Sequence, residues 1–130
     1  MPTQTKLTAA ELRHFEKLLR DQRHDLDIAL GRIGTTLDDV LQARNAGTAD
    51  DEHDAEGPNL TMEWSRISGV HSDLAAKSAA IDQALARIAD GSYGFCTRRG
   101  EPIGKERLEA RPAADLCIDC ARELEAQRRT

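Results

Sequence analysis

From Leu60 onward apolar residues return at alternating steps of four and three: Leu60, Trp64, Ile67, His71, Leu74, Ser78, Ile81, Leu85 and Ile88, with only His71 and Ser78 interrupting the pattern. A run of four heptads draws one narrow stripe along a helix, and a stripe of that kind is covered by another helix lying against it. The sequence must therefore supply a partner of similar length. Thr8-Ala9-Ala10-Glu11 has the form of a capping box, in which the hydroxyl and the carboxylate each satisfy a backbone N–H, and it predicts a helix from about Ala9. Leu12, Phe15, Leu19, Leu26, Leu30, Ile33, Leu37 and Val40 follow at helical steps as far as about Arg44.

Two striped helices joined by a short connection bury their stripes by folding back on each other. The predicted fold is mainly α: a long antiparallel coiled-coil hairpin over residues 1–90, then a small finger domain with a C-terminal helix over 91–130. Asn45-Ala46-Gly47 weakens the periodicity, and the stretch from Ala49 to Pro58 holds five acids, so a tip loop is predicted at about 46–58. Asp90-Gly91 ends the second helix, since glycine takes the left-handed conformation that closes a helix.

Aromatic residues are 3% of the chain and charged residues 32%, a composition of solvated helices, and the formal net charge is -5. Binding to phosphate backbones draws on a surplus of Lys and Arg, so a protein partner is expected ahead of nucleic acid or a membrane. The N-terminus has no basic region followed by an apolar run, and no stretch has the length of a bilayer span. A cytoplasmic monomer without enzymatic activity is expected.

Chemistry concentrates in YGFCTRRGEPIGKERLEARPAADLCIDC, residues 93–120. Cys117 and Cys120 form a C-x-x-C turn that converges two thiolates on one metal ion, and Cys96 offers a third. The fourth place is held by Arg99, whose guanidinium stays protonated and cannot be a ligand. Three readings stay open: a three-thiolate zinc site, a finger that folds by packing with little zinc while Arg99 offsets thiolate charge, and a redox dithiol. The last lacks the βαβ pattern that accompanies a C-x-x-C redox motif.

YGFC, GEPIG and the block RLEARPAADLCIDC resemble the DksA/TraR family of RNA polymerase-binding regulators. The resemblance implies a regulator of transcription that reads no DNA sequence. Its coiled coil would enter the secondary channel of RNA polymerase, acids at the tip would act near the active site, and the zinc finger would rest on the channel rim. It also implies the stringent response, where the alarmone guanosine tetraphosphate binds with polymerase. The family's tip motif, D-x-x-D-x-A, aligns here with Asp51 and Asp54, although Ala55 comes one place early and counting back from Cys96 without gaps points to His53 and Glu56. Arg111 matches a family arginine tied to the alarmone or the rim, whereas Ala80 and Ala121 stand where well-studied members carry lysines, so tight alarmone binding is not expected.

Arg98, Arg99, Lys105 and Arg107 alternate with Glu101, Glu106 and Glu109 and are read as a mixed surface. Two other functions fit the same residues: a sensor of metal or oxidant built on the three cysteines, and a plain coiled-coil adapter.

Overall fold

Thr8 and Glu11 form the capping box that their spacing predicts, with the Thr8 N–H donating to Glu11 Oε1 at 2.8 Å and the Glu11 N–H to Thr8 Oγ1 at 3.1 Å. The computed structural model describes residues 7–50 and 56–129. Helix α1 spans Ala9–Asp50 and α2 spans Glu56–Asp90, followed by the short α3, Lys105–Ala110, and by α4, Ile118–Arg129. Among the described residues the only extended pairing is an isolated antiparallel bridge between Phe95 and Pro102.

Both long helices run further toward their connection than the predicted loop at 46–58 allows. Gly47 and Pro58 oppose helix by residue type, yet both lie within the helices. Proline in the first turn of a helix forfeits only an N–H that would have no helical partner anyway, and one glycine costs a helix only about 1 kcal/mol.

The packing divides into two compact units, one made by the chain through Arg23 together with Ala79 onward, the other by His24–Ser78. The expected border at residues 90 and 91 therefore falls inside the first unit, which joins the open end of the hairpin to the finger. Its core holds Phe15 and Leu19 from α1, Ile81 and Ala84 from α2, and Tyr93, Ile103 and Leu108 from the finger. Phe15 and Tyr93 meet with ring centroids 5.9 Å apart. Arg23 and Asp82 pair across α1 and α2, His14 Nε2 lies 2.6 Å from Glu109 Oε2, and Lys105 pairs with Glu11.

Gly91, at φ +87°, closes α2, with the Ser92 N–H donating to the Arg87 carbonyl at 2.9 Å, six residues round the turn as a left-handed cap requires. Gly94, at φ +95°, lets the backbone pass close to Leu7, where an added Cβ would lie 3.1 Å from Leu7 Cδ1. Tyr93 donates its hydroxyl to the Pro112 carbonyl at 2.7 Å, and burial holds its pKa well above the usual phenol value.

In the second unit Ile67 is buried, while Leu26, Leu30, Ile33, Leu37, Val40, Trp64, His71, Leu74 and Ser78 are half-buried, as expected of a narrow stripe shared by two helices. Trp64 is half-buried and lines a shallow groove with Leu30, Gly31, Gly34 and Leu41 of α1.

The Lys105 ion pair and the Thr8 hydrogen bonds hold the Glu11 carboxyl below its ordinary pKa of 4.5. A depressed carboxyl stabilises the fold above that value, and its contribution fades as pH falls below it. Thr8→Ala removes the side-chain cap and is expected to lower stability by about 1 kcal/mol at neutral pH, measured by urea unfolding.

Candidate metal centre

The finger begins with a tight turn that presents Cys96. The Cys96 N–H donates to the Glu101 carbonyl at 2.7 Å and the Gly100 N–H returns to the Cys96 carbonyl at 2.8 Å. The chain then passes through α3 and meets the cysteine turn again: the Thr97 N–H and hydroxyl both donate to the Asp115 carbonyl, at 2.8 and 3.1 Å. Arg107 Nε donates to the Leu116 carbonyl at 2.9 Å, which fixes the backbone just ahead of Cys117.

Cys117 occupies the cap position of α4 and Cys120 its first turn, so the Cys120 N–H points at Cys117 Sγ, 3.4 Å away. All three cysteines are buried and unbridged, and their sulfurs lie within 4.8 Å of one another. Cys96 Sγ and Cys120 Sγ are 3.7 Å apart. A tetrahedral zinc site with metal–sulfur bonds of about 2.3 Å sets neighbouring sulfurs about 3.8 Å apart, so this pair already stands at the separation zinc needs. The donors fit zinc in chemistry and in spacing, and Cys96, Cys117 and Cys120 would hold it. The ion would supply a structural cross-link between the Cys96 turn and α4.

The thiols differ in readiness for a metal. Burial opposes ionisation of Cys96, but the backbone N–H groups of Cys117, Arg99 and Arg98 and the Cys120 thiol outweigh it and bring its pKa down to about 7. Cys120 moves the other way: burial, and then its hydrogen bonds with Cys117 and Cys96, hold it protonated against the pull of Arg99. Of these two, Cys96 is the sulfur that ionises first.

Arg99 does not enter the sulfur cluster as a donor. Its Nη2 lies 2.9 Å from Glu123 Oε2 on α4, and Arg98 Nη1 lies 3.4 Å from the other oxygen of the same carboxylate. Coulombic attraction to Cys120 in its thiolate form, and to the Glu123 carboxylate, raises the Arg99 pKa further, so it stays a cation. Among the described residues no other His, Cys, Asp or Glu joins the three sulfurs. The sequence does not single out Glu123 or Asp115 as residues of the site. One signal for Glu123 was available, because it follows Cys120 by three residues and so shares its side of a helix.

The mixed surface read from the finger's charges resolves into internal ties: Arg98 and Arg99 to Glu123, Lys105 to Glu11, and Arg107 to Leu116. Arg111 is exposed at the end of α3, and Ala80 and Ala121 are half-buried. Asp51 and Asp54 lie outside the described residues. No helix among those described is long and apolar enough to cross a membrane.

A pair of long helices whose open end carries a finger with a buried cysteine cluster defines a small helical zinc-finger protein. Residues 91–126 match the prokaryotic dksA/traR C4-type zinc finger. The RNA polymerase-binding transcription factor DksA of Salmonella typhimurium is 34% identical over 119 residues, covering 92% of this chain and 74% of that protein. The protein of the same name in Caulobacter vibrioides is 53% identical over 49 residues, 38% of this chain and 34% of that one, so the match spans about a third of that relative. The solved structure of transcription factor DksA2 from Pseudomonas aeruginosa superimposes with a TM-score of 0.75 at 29% identity, over 94% of this chain and 88% of that one. The chain belongs to the DksA/TraR family, and its finger keeps three of the four cysteines that the family's finger is named for.

Proposed function

We propose that this protein regulates transcription by binding RNA polymerase, and that Asp51 and Asp54, between the two long helices, act inside the polymerase's secondary channel. The observation that carries this reading is the match over 92% of the chain to a protein named as an RNA polymerase-binding transcription factor. The net charge of -5 supports a protein partner over nucleic acid, since a polymerase channel can take an acidic probe that a phosphate backbone would repel. The three thiols serve the finger's structure in this reading, and no chemical transformation is assigned to them. Arg111 meets the rim of the channel, and guanosine tetraphosphate adds little, because neither Ala80 nor Ala121 offers a cation beside it.

The test is a pull-down with core RNA polymerase and transcription from a ribosomal RNA promoter, with the native chain and with Asp51→Asn plus Asp54→Asn. The native chain is expected to bind polymerase and change promoter output. The double variant is expected to bind as well but to lose about tenfold or more of the effect, equivalent to about 1.4 kcal/mol. A native chain that neither binds polymerase nor changes output sinks the function. A double variant that regulates like the native chain sinks the tip residues alone.

A further inference from the structure

Residues 97–99 grip the segment that carries Cys117 and Cys120 at points on both sides of that pair. Ahead of it, the Thr97 N–H and hydroxyl hold the Asp115 carbonyl at 2.8 and 3.1 Å. Beyond it, Arg98 and Arg99 hold the two oxygens of Glu123 at 3.4 and 2.9 Å. These ties span the gap between the Cys96 turn and α4, which is the gap a metal bound to the three sulfurs would span. Arg99 stands where a fourth thiolate would have completed the metal's own closure. Its cation reaches past the sulfurs to a carboxylate one turn further along α4.

We infer that the Arg98 and Arg99 clamp on Glu123, together with the Thr97 bonds to Asp115, is a second closure of the finger that works without metal. The finger therefore stays folded when the ion leaves, and zinc is a reversible addition to a formed site. Two further features supply what a metal-free finger needs. Tyr93, Ile103 and Leu108 share the core with Phe15 and Leu19, and Tyr93 and Arg107 tie the backbone at Pro112 and Leu116. Each ion pair is partly exposed, with side chains 40% to 47% accessible, so each alone is worth little and is weakened by salt. Their effect comes from sharing one carboxylate and acting on a segment already held at Asp115.

The test is amide hydrogen exchange of the full chain over residues 93–103 and 115–123, with zinc and after chelation, for the native protein and for Glu123→Gln. The native finger is expected to keep its protection without zinc. Glu123→Gln is expected to match it with zinc bound and to lose about tenfold in protection without it, since only then does the finger depend on the clamp. Raising salt to 1 M should reproduce that loss in the metal-free native protein and leave metal-free Glu123→Gln unchanged. A native finger that loses protection on chelation as far as the variant does would overturn the inference, because the metal would then be the closure that counts. Native-like protection in metal-free Glu123→Gln would overturn it equally, by showing that packing holds the finger without the clamp.

Discussion

Phe15→Ala is expected to lower the free energy of unfolding by about 3 to 5 kcal/mol, the range for deleting a buried aromatic ring. Phe15 is 1% exposed, and its ring touches His14 edge-on at 5.1 Å and Tyr93 at 5.9 Å. The substitution thus empties a site walled by α1 and the finger, and forfeits an aromatic pair worth about 0.5 to 1.5 kcal/mol beyond its area. Leu19, one turn further along α1, is also fully buried, and a close-packed core of this kind relaxes only in part around a cavity. At a slope of about 2 kcal/mol per molar urea, the midpoint should fall by about 2 M. Leu41→Ala gives the contrast: Leu41 is 40% exposed on the same helix, and its loss should cost under about 1 kcal/mol. Equal losses for the two variants would mean that the finger does not pack on the hairpin as described.

The features that can be read from sequence are those whose partners are near in sequence or repeat along it. Thr8 and Glu11 find each other within one turn, Gly91 closes the helix it follows, and the heptad seam marks Ile67 and Ile81, both buried. Ala84 carries no sequence signal, because it lies off that seam and alanine is weakly hydrophobic, yet it is fully buried in the unit where the finger adds a third surface to the helix pair. That third surface depends on contacts such as Phe15 with Tyr93, which join distant parts of the chain and leave no periodic trace. The predicted loop at 46–58 is wider than the interval between α1 and α2, because glycine and proline oppose helix by type while position within the first helical turn decides what proline costs. In the site, the C-x-x-C spacing and the wording around it located all three sulfurs. Glu123 stayed hidden because a run such as RELEAQRR reads as a solvated helix with its own pairs, and Arg129 does pair with Glu125 there. Nothing local says that one of its carboxylates turns back to the Cys96 turn.

Cys117→Ser is expected to weaken zinc binding by about 10²- to 10³-fold, and Arg99→Cys to strengthen it by a similar factor. Structural zinc bound by four ligands is worth about 10 to 16 kcal/mol, or about 3 kcal/mol for each ligand, and each variant changes the thiolate count by one. Serine at 117 is a demanding control, since its hydroxyl can still cap α4 by accepting the Cys120 N–H as Cys117 Sγ does at 3.4 Å. The helix should remain while a soft donor is lost, and far-UV circular dichroism of the variant should match the native protein. Arg99→Cys places a thiol at the spacing after Cys96 that Cys120 has after Cys117, and Arg98 still reaches Glu123. Competition against a chromogenic chelator measures both affinities. If Arg99→Cys binds zinc no more tightly than the native chain, the turn after Cys96 does not aim its fourth residue at the sulfurs. The native site would then be limited by the geometry of that turn, and the identity of the residue standing there would matter less than where the turn points it.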